Sequence, residues 1–429
     1  MKSAGLMGVR RLAGALALMG LSSIAFAQQV LPGVDPGRLR ERFDIHPQPA
    51  TPEPAEIRRE RADAVPDSLK SVRLTLKTIH IEGATALPLA DLQAKADTYT
   101  GREITGSDVL ELAASLTAMY RNAGYILSLV IVPPQSMVNG ALTLRVIEGY
   151  IDQVHLQTGE GVGPSLRARL AEIGEKIRAS RPIQAGVLER YLLNANDFPG
   201  IDLRSVLTPS QERGAADLTL VATVKKLEGF ASVDNYGSRY LGPGQIGLGV
   251  TGNQMLGVND QWRFVSVGTG DDEMLYGQFA YSQILNSEGF KLSAAVSSGS
   301  TRPGDILKPF DIHGIAETAA LSASYLLLRT RNNSVFARAT YEHTDINTDV
   351  LGVRAVEDRI RVLRLGLTQH VLDRMDGYNA LDVDFSRGLG GTSVDDPLKS
   401  RAGASGIFSK ISFDYERSQF FRPTFDVTV

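Results

Sequence analysis

The stretch Phe290-Lys291-Leu292-Ser293-Ala294-Ala295-Val296-Ser297 alternates residue by residue. Phe290, Leu292, Ala294 and Val296 share one side, and Lys291, Ser293, Ala295 and Ser297 share the other. A period of two is the mark of a β-strand with unlike faces. The same pattern recurs downstream. Leu363, Leu365 and Leu367 oppose Arg364, Gly366 and Thr368, and Leu381, Val383 and Phe385 oppose Asp382 and Asp384. Ile411, Phe413 and Tyr415 oppose Lys410, Ser412, Asp414 and Glu416. Beyond Lys226 the helical period disappears, and about ten such stretches follow, separated by polar turns.

Strands of a soluble sandwich usually run about 5–6 residues. Spans of about 9–11 residues with one apolar face match tilted transmembrane strands. The expectation for residues 227–429 is therefore an antiparallel transmembrane β-barrel of about ten strands. Trp262, Tyr276, Tyr281, Tyr325, Tyr341, Phe385 and Tyr415 are candidates for its interfacial girdles. The charged residues of the opposite face, Arg338, Glu342, Arg364, Asp382, Asp384, Lys410, Asp414 and Glu416, read as lumen-facing rather than as an acid/base cluster. A wet lumen tolerates charge.

Composition agrees. The 429 residues are 43% hydrophobic and 22% charged, and 45 Lys and Arg against 48 Asp and Glu leave a net charge of −3. That balance excludes a strongly basic nucleic-acid binder. With no cysteine, disulfide frameworks, thiolate metal sites and Cys nucleophiles are excluded too. A mean hydropathy of −0.07 suits a membrane barrel as well as a soluble protein, because barrel strands are only half apolar.

Residues 1–27 read as a secretory signal. Lys2, Arg10 and Arg11 are basic, Leu12 to Ile24 are apolar, and Ala25-Phe26-Ala27 offers a cleavage site. Residues 28–72, broken by Pro32, Pro36, Pro47, Pro49, Pro52, Pro54 and Pro66, read as an extended Pro-rich linker with a short helix near Arg38 to Phe43, which the resemblance given below would place in the periplasm. That helix is a possible plug, although short and Pro-interrupted. From Leu74 a β-α-α-β-β order follows, with a strand over 76–81, helices over 87–99 and from Ser107 to Gly124, and strands over 125–132 and 141–148. It repeats as a strand at 151–157, helices at 164–179 and 185–196, and strands at 201–207 and 217–224. The two units are α+β modules spanning 73–150 and 151–226.

No enzymatic motif stands out. His46, His80, His155, His313, His343 and His370 are scattered without a metal-ligand spacing. Gly242-Pro243-Gly244-Gln245-Ile246-Gly247 fits a dinucleotide pattern in form only, since it leads into the alternating Ile246, Leu248 and Val250. A hairpin turn is the better reading. No catalytic residue, cofactor or metal is expected.

Several stretches resemble the two-partner secretion outer-membrane transporters of the hemolysin and filamentous-hemagglutinin type (TpsB proteins). In the first module these are Ile79-His80-Ile81-Glu82-Gly83, Tyr120-Arg121-Asn122-Ala123-Gly124-Tyr125, Val132-Pro133-Pro134-Gln135 and Leu142 to Gly149. In the second they are Arg181-Pro182-Ile183, Leu188 to Asn194 and Asn196-Asp197-Phe198-Pro199-Gly200, and at the barrel entry Asp234 to Tyr240. The modules resemble the family's two POTRA domains.

The resemblance implies a porin-like pore in the Gram-negative outer membrane, inserted by the barrel-assembly machinery. Periplasmic POTRA domains would capture an extended exoprotein. Its partners would be that exoprotein and outer-membrane lipid, not nucleic acid. A candidate capture site is the edge Tyr125, Ile126, Leu127, Ser128, Leu129, Val130 and Ile131 with Leu116 and Tyr120 on the neighbouring helix, acting by β-augmentation. The family closes a barrel of about sixteen strands and carries an Arg-Gly-Tyr-type motif. This sequence reaches Val429 inside an eleventh strand without that motif, and is expected to be an incomplete copy of a longer protein. Alternative readings are a factor that inserts other barrel proteins, a barrel phospholipase with a lipid-facing Ser/His pair, and an adhesin.

Overall fold

The computed structural model describes residues 34–43, 56–57, 73–135, 140–375, 377–390, 398–401, 403–421 and 425–428. The expected signal segment lies outside them. A 3₁₀ turn, Pro36–Arg38, leads into helix α1 (Leu39–Phe43), and strand β1 (Glu56–Ile57) follows. Asp35 starts the turn by accepting the Gly37 N–H at 2.9 Å, with Pro36 at the first helical position, where its missing N–H costs nothing.

The first α/β module holds β2 (Arg73–Thr75), β3 (Thr78–Glu82), α2 (Leu89–Asp97), β4 (Glu103–Thr105), α3 (Gly106–Asn122), β5 (Leu129–Ile131) and β6 (Ala141–Ile147). Thr105, not Ser107, caps α3. Its hydroxyl accepts the Asp108 N–H while the Asp108 carboxylate accepts the Thr105 N–H at 2.6 Å, a reciprocal capping box. Val109, Leu112, Ala113, Leu116 and Tyr120 recur at helical spacing and pack on Ile79, Leu142 and Leu144. Strand β3 runs parallel to β6, and β5 runs antiparallel to β6.

The second module holds β7 (Tyr150–Thr158), α4 (Pro164–Arg178), α5 (Ala185–Asn196), β8 (Ile201–Pro209) and β9 (Ala215–Val224). Here β7 runs parallel to β9, and β8 antiparallel to it. The repeat read in the sequence is thus a repeat of strand order. One addition distinguishes the second copy: β1 lies parallel along the outer edge of β8, pairing Glu56 with Val206 and Ile57 with Leu207.

The remaining strands form one antiparallel meander of eleven, in chain order. They are β10 (Leu227–Asp234), β11 (Gln245–Asn253), β12 (Asp260–Thr269), β13 (Met274–Ile284), β14 (Lys291–Thr301) and β15 (Ile312–Arg329). Then come β16 (Asn333–Val350), β17 (Val353–Leu372), β18 (Gly377–Gly388), β19 (Ser409–Phe421) and β20 (Phe425–Thr428). Among the described residues β10 pairs with β11 alone and β20 with β19 alone, so the sheet is open at both edges. The segment Tyr325-Leu326-Leu327-Leu328, which breaks the alternation in sequence, is a β-bulge in the β15–β16 pairing. Among the described residues no helix is long and apolar enough to cross a membrane.

Candidate functional site

The register sorts the sheet into two unlike faces. On one, Val250, Phe264, Phe279 and Val296 stand in one row of partners, and Leu365, Phe385 and Ile411 in another. All are exposed. The opposite face carries Arg338, Glu342, Arg364, Asp382, Asp384, Lys410, Asp414 and Glu416, every one of the charged residues picked out by alternation. Arg338 donates to both Asp384 carboxylate oxygens at 3.0 Å and lies 3.8 Å from Asp382. Arg364 meets Glu342 at 2.8 Å. Gly366 makes room for the first pair, because a Cβ there would stand 2.2 Å from Asp384 Oδ1.

Residues 34–43 are seated on this polar face. Arg40 donates to Glu342, which thereby bridges two arginines. Thr301 Oγ1 donates to the Val34 carbonyl at 3.1 Å, and Arg42 donates to the Tyr236 carbonyl at 2.9 Å. Val34 and Leu39 are buried with Leu241, Met274, Tyr276 and Leu307. The seat is cut by two glycines. A Cβ on Gly314 would lie 2.9 Å from the Pro36 ring, and one on Gly299 would lie 3.0 Å from Leu39 Cδ1. Tyr276 packs against Phe43 with the rings tilted and their centres 5.6 Å apart, and is buried on this face, so it cannot belong to a girdle. Trp262 and Tyr281 do lie on the apolar face, as direct register partners.

The second module grips the sheet at three turns. Glu288, between β13 and β14, accepts from Lys176 Nζ at 2.5 Å, Arg190 at 3.0 Å and the Tyr191 hydroxyl at 2.9 Å. Burial pushes the Glu288 carboxyl up, but the hydrogen bonds from Lys176 and Tyr191 outweigh it and hold the group below the usual range. Asn194 donates to the Ser287 carbonyl at 3.0 Å, and Gln254 donates to the Pro199 carbonyl at 3.3 Å. Arg329, only 4% exposed at its side chain, forks onto Asp197 at 2.8 and 3.0 Å. Gly200 closes the junction at φ +69°, where a Cβ would meet the Lys225 carbonyl at 2.5 Å.

The candidate capture edge is rearranged. Leu116 and Tyr120 are fully buried, and the Tyr120 hydroxyl donates to Glu148 at 2.9 Å. Burial and that carboxylate push the tyrosine well above its ordinary value. Neither side chain is within reach of a partner. Tyr125, Ile126, Leu127 and Ser128 form a turn rather than a strand, because Gly124 ends α3 and Ser128 N–H bonds back to the Tyr125 carbonyl at 3.1 Å. Ile126 and Leu127 pack on the second module's core. Only Leu129, Val130 and Ile131 are extended, and Val130 N–H is taken by Thr117 Oγ1 at 2.9 Å.

Alternation located the polar face, but not Arg40, Glu288 or Arg329 as contacts, since their partners lie far away in sequence. The short helix read near Arg38 to Phe43 is present as α1. Among the described residues no three His, Asp or Glu side chains converge on a metal position.

Comparison with known proteins gives concordant matches. A family described as POTRA domain, ShlB-type, matches residues 74–149, and one described as haemolysin secretion/activation protein ShlB/FhaC/HecB matches residues 215–427. The heme/hemopexin transporter protein HuxB of Haemophilus influenzae (strain 86-028NP) is 22% identical over 271 residues, which is 63% of this chain and 48% of that protein. The outer membrane transporter CdiB-2 of Burkholderia pseudomallei is 26% identical over 377 residues, 83% of this chain and 61% of that protein. The chain spans about half the length of the first curated relatives it matches. Among solved structures, CdiB from Escherichia coli superposes with a TM-score of 0.61 at 18% identity, over 84% of this chain and 67% of that one. CdiB from Acinetobacter baumannii gives 0.51 at 16% identity, over 90% and 71%. These likenesses establish the fold.

Proposed function

The chain belongs to the haemolysin secretion/activation protein family of the ShlB/FhaC/HecB type, with a POTRA domain before its sheet, and from that premise we propose that it acts as a translocation pore of the outer membrane. A partner exoprotein, captured in extended form by the POTRA modules on the periplasmic side, passes along the polar face of the sheet. The protein works as a transporter and carries no chemistry of its own. The observation that carries this reading is the pairing of an exposed apolar face with an opposite face of charged pairs on which residues 34–43 are seated. Lipid suits the first face and a hydrated polypeptide the second. The seated segment occupies the path, as a plug must.

For capture, the β8 edge is a better receptor than β5. The chain's own Glu56–Ile57 already adds to it as a strand, which is the geometry of β-augmentation. An arriving exoprotein would exchange with that strand.

Removing Leu74 to Tyr150 from the natural protein tests the reading. Export of the partner exoprotein is expected to stop while other outer-membrane barrels stay at normal levels, measured by immunoblot of medium and membranes. A general loss of barrels would instead point to an insertion factor.

A further inference from the structure

The apolar face changes chemistry partway along the strands. On β17 the series on that face runs Leu367, Leu365, Leu363 and then becomes basic at Arg361. On β18 it runs Leu381, Val383, Phe385 and becomes basic at Arg387. Arg387 is the register partner of Leu363, so Arg361 sits diagonal to it, about 7–8 Å away on the same face. Both side chains are exposed. Among the described residues no carboxylate pairs with either, and Arg387 donates to Ser409 Oγ at 2.7 Å. Of the acids on neighbouring register positions, Glu357 meets Arg359 at 2.8 Å, and Asp345 lies 3.2 Å from Nε2 of His343, the register partner of Arg361, and 3.7 Å from Arg359. Glu317, also exposed, lies two strands away on β15.

Height fixes what these two guanidiniums would meet. The turns gripped by the second POTRA module mark the periplasmic end of the sheet. Arg361 lies eleven residues from Leu372 at that end of β17, and Arg387 lies ten from Gly377 on β18. At about 3.3 Å per residue and about 40° of tilt, both stand about 25–28 Å above it, the top of an apolar band about 25 Å tall. Just below, Ala323, Ala337 and Ala339 floor a shallow groove walled by Tyr325, Leu365 and Phe385.

The geometry points to a docking site for a phosphorylated lipid headgroup of the outward leaflet, its phosphate between Arg361 and Arg387 and an acyl chain in the alanine groove. Two guanidiniums that no carboxylate neutralises among the described residues complement a phosphate by forked, charge-assisted hydrogen bonds, and the groove continues the face already assigned to lipid. The site rests on the outer-membrane reading above.

The test uses the full-length protein in a neutral maltoside detergent, titrated with bis-phosphorylated lipid A and with its dephosphorylated form, bound lipid being counted by native mass spectrometry. The wild type should favour the phosphorylated lipid. R361A/R387A should weaken that binding by about thirtyfold, the product of two surface basic contacts, and leave the dephosphorylated lipid unaffected. R361K/R387K should retain most of the preference. Equal affinity of the wild type for the two lipids, or a preference unchanged in the alanine variant, overturns the site. Flotation with phosphatidylcholine vesicles separates the two levels of failure. A protein that does not float defeats the outer-membrane reading and the site together, whereas one that floats without discriminating defeats the site alone.

Discussion

Glycine sets what can lie against the polar face. Gly314 leaves the hollow that the Pro36 ring fills, where a Cβ would stand 2.9 Å from the ring, and Gly299 leaves room for Leu39. Gly314→Leu should therefore unseat residues 34–43 and raise single-channel current in planar bilayers several-fold. An unchanged current would argue against the segment closing the path. Gly366 serves a different end, since its missing Cβ leaves space for the Arg338–Asp384 pair. Gly366→Ala should cost about 0.5–1 kcal/mol by shifting that partly exposed pair, read as a lower urea midpoint. Gly244→Ala, with open space around its Cβ, is the matched control. At this scale, periodicity decides the side of a residue but not its partner. Arg40 and Glu342 stand 302 positions apart, beyond any local pattern. Tyr276 was misplaced because Met274, Leu275 and Tyr276 are apolar on both parities, so alternation gives no sign there.

Among the elements, helices α4 and α5 were legible almost to the residue, because Pro164, the apolar spacing and the following loops mark their ends. Strand β5 was overextended. Tyr125 to Ser128 are hydrophobic enough to read as strand, yet they serve as a turn whose side chains cement one module to the next. What the sequence concealed is the docking of α4 and α5 on the sheet, to which Glu288 contributes beside Arg329 and Asn194. Its carboxyl titrates below the ordinary 4.5, so its contribution is whole above that pH and is lost as pH falls through the lowered value. Amide protection in α4 and α5, taken relative to the intrinsic exchange rate at each pH, should be flat between about pH 7 and 5 and fall below about pH 4. Glu288→Gln should show the lower protection throughout, and a pH-independent wild type would remove Glu288 from that role.

For the whole molecule, the order of modules and sheet follows from a change of period, 3.6 before Lys226 and 2 after it. Strand lengths were less legible, because polar turns between long strands resemble polar strand tips. The sheet is uneven: β10 to β14 run 8 to 11 residues, while β15 to β17 run 18 to 20. At about 3.3 Å per residue and about 40° of tilt, twenty residues climb about 50 Å, twice the depth of the hydrocarbon they cross. One flank of the sheet is thus a parapet reaching far into the medium, and under the proposed export function a polypeptide emerging beside it would meet a wall on one side and open water on the other. Since the chain contains no cysteine, one placed at its crest is a clean reporter. Leu351→Cys should react with an impermeant maleimide on intact cells, and Met375→Cys, in the exposed turn between β17 and β18 at the opposite end, only once the envelope is breached.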